Sequence, residues 1–257
     1  MLTVGALYQA LENQIPASLS CDWDNDGLSC CADKNAPVTS VLVALDPTEE
    51  AIDYAIEHGY SVLLTHHPLL FRGLKEVNED VLNARKVMRL LSGGVTAMSF
   101  HTRLDAVDGG VNDTLAALLG LTNVTPFGDD LAPIGRIGEL SKAMSFEDFA
   151  EKVKSALGVP AVLTASCGTP VRRVAVLGGA GGDDIGAAFA AGADTYVTGE
   201  LSYHALCDAP SLGQNLIMAG HYHTEFPVCA VLGHMVYELD PTLPVHIFLP
   251  AAPLRIL

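Results

Sequence analysis

The sequence predicts an α/β fold built from two intertwined, internally duplicated repeats with mixed sheets. Short apolar runs alternate with segments of helical periodicity, which is typical of layered α/β proteins. Residues 41–65 align without gaps on residues 174–198, and both copies predict a strand, a helix and a strand. Both copies also carry a glycine, Gly59 or Gly192, where a helix C-terminus favours a left-handed residue.

The duplication divides the chain into a first repeat, residues 1–125, and a second repeat, residues 126–257. We expect these repeats to form one intertwined unit, with the segment 120–133 as the linker between them. In the first copy the helix follows Asp46-Pro47. Aspartate suits the capping position of a helix, and proline suits its first helical position.

Four further helices are predicted from apolar residues that recur at helical spacing. They cover residues 2–14, 79–91, 145–158 and 228–239. Five further strands are predicted from short apolar runs, at residues 95–99, 134–140, 161–165, 215–219 and 245–249. The glycine-rich segment 178–182 follows a strand and precedes a helix. It is interpreted as a tight turn, with anion binding by its open amides as the alternative.

Composition indicates a compact globular protein that binds neither membranes nor nucleic acids. Of the 257 residues, 49% are hydrophobic and 17% are charged, and no apolar run approaches the roughly 18 residues of a membrane span. The formal net charge of −16 argues against binding polyanions, which requires clustered lysine and arginine. Six cysteines without a C-x-x-C pair, and a first segment without a secretion signal, predict free thiols in the reducing cytoplasm.

The pair His66-His67 is the most informative local feature for function. It follows the apolar run 62–64, and the end of a buried strand is where α/β proteins place their ligands. Adjacent side chains of an extended strand point to opposite sides, so the two imidazoles would rarely hold one ion together. They can instead serve two ions, or be splayed if the chain turns at Pro68. Phe71, close to the pair, is interpreted as a packing residue rather than a surface on which substrate stacks.

Two other segments place a histidine four residues ahead of a carboxylate, in each case after a strand-like run. Imidazole and carboxylate together suit zinc, manganese, iron, nickel or cobalt. The ligands expected for two divalent ions per chain are His66, His67, Asp105, His221 and Glu225, one carboxylate being able to bridge the ions. His101, four residues before Asp105, is a sixth, outer candidate.

A single histidine is more often a hydrogen-bonded or surface residue than a metal ligand, so the prediction depends on the three clusters together. Three other histidines are interpreted as structural, namely His58, His234 and His246, and two are ambiguous, namely His204 and His223. The segment 23–27, rich in Asn, Asp and Gly, is interpreted as a turn.

Six motifs, taken in order, resemble those of the Nif-three-like family, whose members are often labelled GTP cyclohydrolase type 2 homologs. They are W-D-N-D-G-L at 23–28, T-H-H-P at 65–68, H-T-R-L-D at 101–105, G-G-V-N-D at 109–113, V-T-G-E at 197–200 and G-H-Y-H-T-E at 220–225. The resemblance covers essentially the whole chain, in the short form without an inserted domain. It implies two intertwined α/β repeats and a ring-shaped homohexamer whose dinuclear metal centres face an inner cavity.

Carried over onto this sequence, the family pattern implies five metal ligands: His66, His67, Asp105, His221 and Glu225. It also implies that Glu225 touches both ions, that His101 lies close by and that Glu200 lines the site. His223 departs from the pattern, which often has a small residue there, and can add a polar group or a further ligand.

The resemblance implies a metal-dependent hydrolase, cyclohydrolase-like, acting on a small molecule. Two bound ions would deprotonate a water and polarise the bond that is cleaved. Glu225 and His101 are the expected catalytic residues, and His101 or His223 would move protons near neutral pH. Few basic residues near the motifs can meet a triphosphate, namely Arg72, Lys75 and Arg103. The alternatives to an enzyme are a non-catalytic ring that stores or delivers metal, and an interaction scaffold.

Overall fold

The computed structural model describes residues 2–128 and 133–250, and the chain divides into two compact units. The first unit contains the chain up to Leu104 and again from Val228 onward, and the second contains Asp105–Pro227. The chain therefore leaves the first unit once and returns to it for its last helix and strand. The repeat boundary expected after residue 125 differs from this division and stays a prediction about the duplication.

Within the described residues the chain forms ten α-helices and eleven β-strands. The helices are α1 (Val4–Gln14), α2 (Glu49–Glu57), α3 (Leu82–Ser92), α4 (Thr102–Ala106), α5 (Val111–Leu118), α6 (Phe146–Leu157), α7 (Ile185–Ala190), α8 (Tyr203–Asp208), α9 (His221–Glu225) and α10 (Val228–Leu239). The strands are β1 (Gly27–Cys30), β2 (Val41–Ala44), β3 (Val62–Thr65), β4 (Thr96–Ser99), β5 (Thr122–Phe127), β6 (Gly135–Met144), β7 (Leu163–Ala165), β8 (Val171–Leu177), β9 (Thr195–Thr198), β10 (Asn215–Met218) and β11 (Val245–Ile247). Short 3₁₀ turns cover Ala17–Leu19, Gly181–Asp184 and Ala209–Leu212.

The first unit contains a five-stranded mixed sheet in the order β1-β4-β3-β2-β11. Strands β4, β3, β2 and β11 run parallel, and β1 is antiparallel to β4. All four residues of β2, of β3 and of β4 are buried. Because parallel strands end at the same edge of a sheet, the segments that follow β3 and β4 begin side by side.

The second unit contains a six-stranded mixed sheet in the order β5-β6-β8-β9-β10-β7. Strands β8, β9 and β10 are parallel, as are β2, β3 and β4 in the first unit. Val41 pairs with Val62 in the first sheet, and Val174 pairs with Thr195 in the second. The alignment of the two copies places these pairs at equivalent positions, so the register of the strands confirms the internal duplication.

The helix ends of the two copies follow local sequence signals. Gly59 (φ 70°) and Gly192 (φ 91°) both adopt the left-handed conformation expected after a helix. The expected cap of α2 is wrong, however. Thr48, not Asp46, caps this helix, its side chain accepting from the backbone N–H of Ala51. The side chain of Asp46 contacts a histidine instead, as described below.

The predicted linker at 120–133 contains a strand that was not predicted from its sequence. Strand β5 pairs antiparallel with β6, although most of its residues are exposed and show no apolar alternation. Residues 129–132 of the linker lie outside the described residues. The turn predicted at 23–27 leads directly into the equally unforeseen edge strand β1.

Each unit buries its own hydrophobic core. In the first unit the core joins the central strands to α2 and α3, with Leu42, Ile52, Leu63 and Leu90 among its fully buried members. In the second unit two clusters form on the sheet, one of them around Phe149. Among residues 2–128 and 133–250, every helix is too short or too polar to cross a membrane.

Candidate metal centre

Three histidines of the first unit gather where β3 and β4 end. His66 and His67 follow β3 directly, and His101 follows β4 after one intervening residue. A ring nitrogen of each lies within 4.8 Å of a ring nitrogen of the others. His66 is fully buried, and the side chains of His67 and His101 are mostly buried. These three imidazoles, the first ligand set, can hold a metal ion.

His66 and His67 lie side by side although they are neighbours in sequence. Their ring centroids are 4.8 Å apart, which an extended strand would not allow. Strand β3 has already ended at Thr65, and the backbone bends at both histidines. The Thr65 hydroxyl donates to the His67 carbonyl at 2.7 Å and stabilises this bend. The geometry of an extended strand therefore does not apply to this pair, because the chain bends at the histidines themselves, before Pro68.

Each imidazole of the first ligand set is held at Nδ1 by an oxygen. The contacts are His66 with the Phe100 carbonyl at 3.0 Å, His67 with Asp46 Oδ1 at 2.7 Å and His101 with Asp24 Oδ1 at 2.8 Å. A carbonyl or an ionised carboxylate only accepts, so Nδ1 carries the hydrogen in each ring. In the neutral ring Nε2 then has the lone pair. Metal-binding histidines are typically oriented in this way.

Asp24 is the most enclosed of these oxygen partners, with a side chain that is fully buried. Burial alone would raise the pKa of Asp24. Hydrogen bonds from the His101 ring, and from both the hydroxyl and the backbone N–H of Thr102, outweigh burial and hold this pKa well below its usual range. Asp24 is therefore an ionised carboxylate that fixes the His101 ring. This role is not visible in the sequence, because Asp24 and His101 lie far apart along the chain.

The second unit brings together His221 and Glu225 on the single turn of α9, directly after β10. Their Nε2 and Oε2 atoms are 3.0 Å apart, as expected for residues four apart on one helix face. Nδ1 of His221 meets Glu200 Oε1 at 2.8 Å, so this ring too is held by a carboxylate. Glu225 is only 5% exposed.

Asp105 is the first residue of the second unit and completes its group of potential ligands. One of its carboxylate oxygens lies within 4.8 Å of one of Glu225. The fully buried Asn112 donates to the Asp105 carbonyl at 3.4 Å and accepts from the Gly178 amide at 2.8 Å. Asp105, His221 and Glu225 form the second ligand set. Two carboxylates and an imidazole are donors that suit divalent transition metals.

The predicted turn at 178–182 packs against the second ligand set. Gly179 has a φ of 67°, and a Cβ built there would overlap Oε1 of Glu225. A Cβ at Gly199 would lie 2.7 Å from Cα of His221. The Gly179 amide also donates to the Thr224 hydroxyl at 3.0 Å. Glycine is thus required for backbone to approach these ligands closely.

The other five histidines are not members of the two ligand sets. Four of them are exposed, namely His58, His204, His234 and His246. His223 is partly buried, and burial lowers its pKa. None of these five belongs to a group of potential metal ligands within the described part of the chain. The structural interpretation of His58, His234 and His246 agrees with this placement.

Arg103 has a structural role that differs from the phosphate contact considered from the sequence. It is 1% exposed. Its Nε atom donates to Asp26 at 2.9 Å, and its Nη1 atom donates to Glu12 at 3.0 Å. These partners satisfy the guanidinium inside the first unit. Arg72 and Lys75, the other two basic residues considered for an anion, are exposed.

The fold and these residues define a class of protein: a duplicated α/β protein with a histidine cluster in the first unit that can hold a metal ion and a histidine–carboxylate pair in the second. The chain belongs to the Duf34/NIF3 (NGG1p interacting factor 3) family, whose model matches residues 2–250. It is 37% identical over 238 residues, 90% of each chain, to the GTP cyclohydrolase 1 type 2 homolog of Clostridium perfringens. It is similar to the crystal structures of a Staphylococcus aureus hypothetical protein (TM-score 0.90) and of a Bacillus cereus protein related to NIF3 (TM-score 0.89). Each is 26% identical to it, and each comparison covers 100% of this chain and 99% of the other.

Proposed function

We propose that this protein is a metal-dependent hydrolase that binds two divalent ions per chain, drawn from zinc, iron, manganese and nickel. One observation carries the proposal. All four histidines of the ligand sets are held at Nδ1 by a carbonyl or carboxylate oxygen at 2.7–3.0 Å. This arrangement fixes ring and tautomer, and raises the basicity of Nε2 toward a metal.

The donors in each ligand set support this choice of metals. The first set offers three imidazoles, and the second offers one imidazole and two carboxylates. Zinc, iron, manganese and nickel accept both donor types, whereas calcium and magnesium favour oxygen alone. The proposal includes the five ligands implied by the resemblance, His66, His67, Asp105, His221 and Glu225, with His101 close to them.

In the proposed reaction the bound ions would supply a deprotonated water and polarise the bond that is cleaved. Asp24, Asp46 and Glu200 orient imidazoles and leave Nε2 as the reactive nitrogen. The Nε2 atom of His101 would either hold the ion or move a proton, but not both at once, because Asp24 occupies its Nδ1. Glu225, nearly buried and fixed by its contact with His221, would position the attacking group.

The substrate proposed first is a small molecule with a ring that water can open. The name of the Clostridium perfringens relative, GTP cyclohydrolase 1 type 2 homolog, makes GTP the first compound to test. The structure gives GTP little support, since Arg103, one of the three basic residues considered for a triphosphate, is buried in ion pairs.

The proposal also includes the homohexamer implied by the resemblance and a cytoplasmic location. Light scattering of the purified protein is expected to give six times the chain mass of 27.0 kDa. The thiols are expected to react with a thiol reagent without prior reduction, as free cysteines do. A monomer would contradict the proposed homohexamer. Thiols that react only after reduction would contradict the proposed cytoplasmic location.

Metal content tests the central claim. The wild type, His66→Asn in the first set, Glu225→Gln in the second and the control His234→Asn are purified without chelator. Plasma mass spectrometry is expected to find about two ions per chain in the wild type and the control, and fewer in both ligand variants. His234 is a suitable control because it is exposed and lies outside both sets. Equal metal in all four proteins would contradict the ligand assignment.

Turnover separates a hydrolase from metal storage, metal delivery and a scaffold. Metal-loaded wild type is incubated with GTP and with a panel of cyclic amides and phosphate esters. A hydrolase is expected to convert at least one compound, and Glu225→Gln to lose that activity while keeping its oligomeric state. Rapid exchange of the metal with no turnover would favour storage or delivery instead.

A further inference from the structure

Two exposed aromatic side chains of the first unit stand together beside the first ligand set. Trp23 is 62% exposed and Phe71 is 44% exposed. Their ring centroids are 5.9 Å apart, and the ring planes are inclined by 56°. Since large aromatic rings are usually buried in a core or an interface, this exposed pair requires an explanation. The expectation that Phe71 serves only packing does not account for it.

Both rings contact the same candidate ligand, His101. Its ring centroid lies 6.2 Å from that of Trp23 and 6.1 Å from that of Phe71. The interplanar angles are 76° and 77°, so both rings meet the imidazole edge to face. Anything that packs on the Trp23–Phe71 pair therefore lies next to the first ligand set.

The backbone that carries the pair is fixed by hydrogen bonds to side chains. Asp24 accepts from the His101 ring and from Thr102, and Asp26 accepts from the His101 amide at 2.8 Å. The side chain of Asn25 donates to the carbonyl of Leu70, the residue before Phe71. Both rings thus extend from anchored backbone. Rigid placement lowers the entropy cost of binding a ligand.

The size of the pair indicates what can bind to it. An aromatic side chain buries about 150–250 Å² when fully covered, so the exposed parts of these two rings offer roughly 200 Å². A stable protein interface needs about 800 Å² from each partner. One planar ring needs far less contact area. Stacking on an aromatic side chain also tolerates different substituents on the ligand ring, because every such ring has a π-face.

We infer that the Trp23–Phe71 pair binds the planar aromatic ring of a small-molecule ligand and directs its substituents toward His101. This inference rests on the proposed function in one respect, namely that the ligand is taken to be the substrate. Binding of the ring itself needs no metal. The site belongs to the first unit alone, and its residues other than His101 are not among the proposed metal ligands.

Trp23 is the only tryptophan of the chain, so tryptophan fluorescence reports on this site alone. The full protein, stripped of metal in one series and metal-loaded in another, is titrated with guanosine and with cytidine, and with ribose as the control without an aromatic ring. Saturable quenching by at least one nucleoside, and none by ribose, is expected. Plasma mass spectrometry of the metal-loaded series reports metal binding separately. Quenching by a protein that takes up no metal in that series would contradict only the proposed function.

Two variants test whether the quenching comes from binding at the Trp23–Phe71 pair. Phe71→Leu keeps the fluorophore and is expected to weaken nucleoside binding roughly tenfold, the size of one stacking contact. Tyr237→Leu, which changes an aromatic ring of similar exposure on α10, is expected to leave it unchanged. No saturable quenching by either nucleoside, or equal affinity in Phe71→Leu and the wild type, would overturn the inference. Dissociation of the oligomer in Trp23→Ala would overturn it in favour of an interface between copies.

Discussion

Nδ1 of His101 and Oδ1 of Asp24 lie 2.8 Å apart, and the Asp24 side chain is fully shielded from solvent. The same carboxylate also accepts from the hydroxyl of Thr102 at 2.6 Å. One carboxylate therefore fixes the His101 ring and the first residue of α4 together. It links the turn at 23–27 to the first ligand set.

Replacing Asp24 is expected to weaken metal binding by the first ligand set. In Asp24→Asn the amide is neutral, so it holds the imidazole less firmly and lowers the basicity of Nε2. We expect the affinity for zinc to fall about 10- to 100-fold, measured by competition with a chromophoric chelator. Asp22→Asn is the control, because Asp22 is exposed in the same turn. Equal affinities in the two variants would refute an orienting role for Asp24.

Glu200 is expected to play the corresponding part for His221 in the second unit. Glu200→Gln keeps the size of the side chain but removes the charge that meets Nδ1 at 2.8 Å. We expect about a tenfold loss of metal affinity in the same chelator competition. Glu238→Gln removes an exposed carboxylate that is 3.7 Å from His234. This control variant is expected to bind metal as the wild type does.

Gly179→Ala is expected to displace Glu225. The new Cβ overlaps Oε1 of Glu225, and the φ of 67° is strained for alanine. Gly213→Ala is a matched control, since Gly213 has a φ of 71° and nothing lies within 4 Å of its added Cβ. Both variants carry the strain of a positive φ, about 1 kcal/mol or more. Only Gly179→Ala should lose metal and a further 1–3 kcal/mol from overpacking, measured by metal content and urea unfolding.

Glu12 is expected to make folding stability depend on acid pH. Burial would raise the pKa of Glu12, but hydrogen bonds from the Tyr8 hydroxyl and from Arg103 outweigh it and lower this pKa. A lowered folded pKa stabilises the protein above the ordinary value of 4.5. This contribution is lost as the pH falls through the folded pKa.

Glu12→Gln should therefore be less stable than the wild type at pH 7, by about 1 kcal/mol for a partly exposed group. The difference should shrink as the pH falls below the ordinary pKa. Urea unfolding across the acid range measures it. Glu151→Gln, at an exposed surface pair with Lys154, should show no such trend. A difference that grows toward low pH would contradict the sign of the pKa shift.

Arg103 is expected to matter for stability rather than for phosphate binding. Arg103→Met leaves Asp26 and Glu12 without their guanidinium partner, and breaking a buried ion pair costs about 3–5 kcal/mol. Arg172→Met is the control, because Arg172 is 45% exposed beside Glu139 and surface pairs contribute about 0–1 kcal/mol. Thermal unfolding compares the two. A stable Arg103→Met protein with impaired GTP binding would reverse this assignment.

The candidate ligands could be selected from the sequence because their signals are local. A histidine pair after a buried strand, and a histidine four residues before a carboxylate, remain visible without knowledge of the fold. Asp24 and Asp46 could not be selected in this way, because each meets its histidine only after strands distant in sequence have paired. Asp46 even carries a misleading signal, since Asp-Pro ahead of a helix also fits a cap, a role that Thr48 fills.

Prediction of the fold from sequence is limited in the same way, at strands near the edge of a sheet. Buried parallel strands such as β3 consist of apolar residues and are recognised directly. Strand β5 is mostly exposed, so its pairing with β6 depends on backbone hydrogen bonds that leave no apolar pattern. The bend at His66-His67 was considered only as a turn at Pro68, because the residue at which a strand ends depends on its partner strands as well as on its own sequence.

The return of the chain to the first unit has a consequence for biosynthesis. Strand β11 pairs with β2 at the sheet edge, but the ribosome makes it only after all of Asp105–Pro227 has been synthesised. Until then the backbone of β2 lacks this partner, and an open strand edge can pair with other chains. The first unit is therefore prone to aggregate during translation. Truncated chains that lack β11 should aggregate for the same reason, even though their second unit is complete.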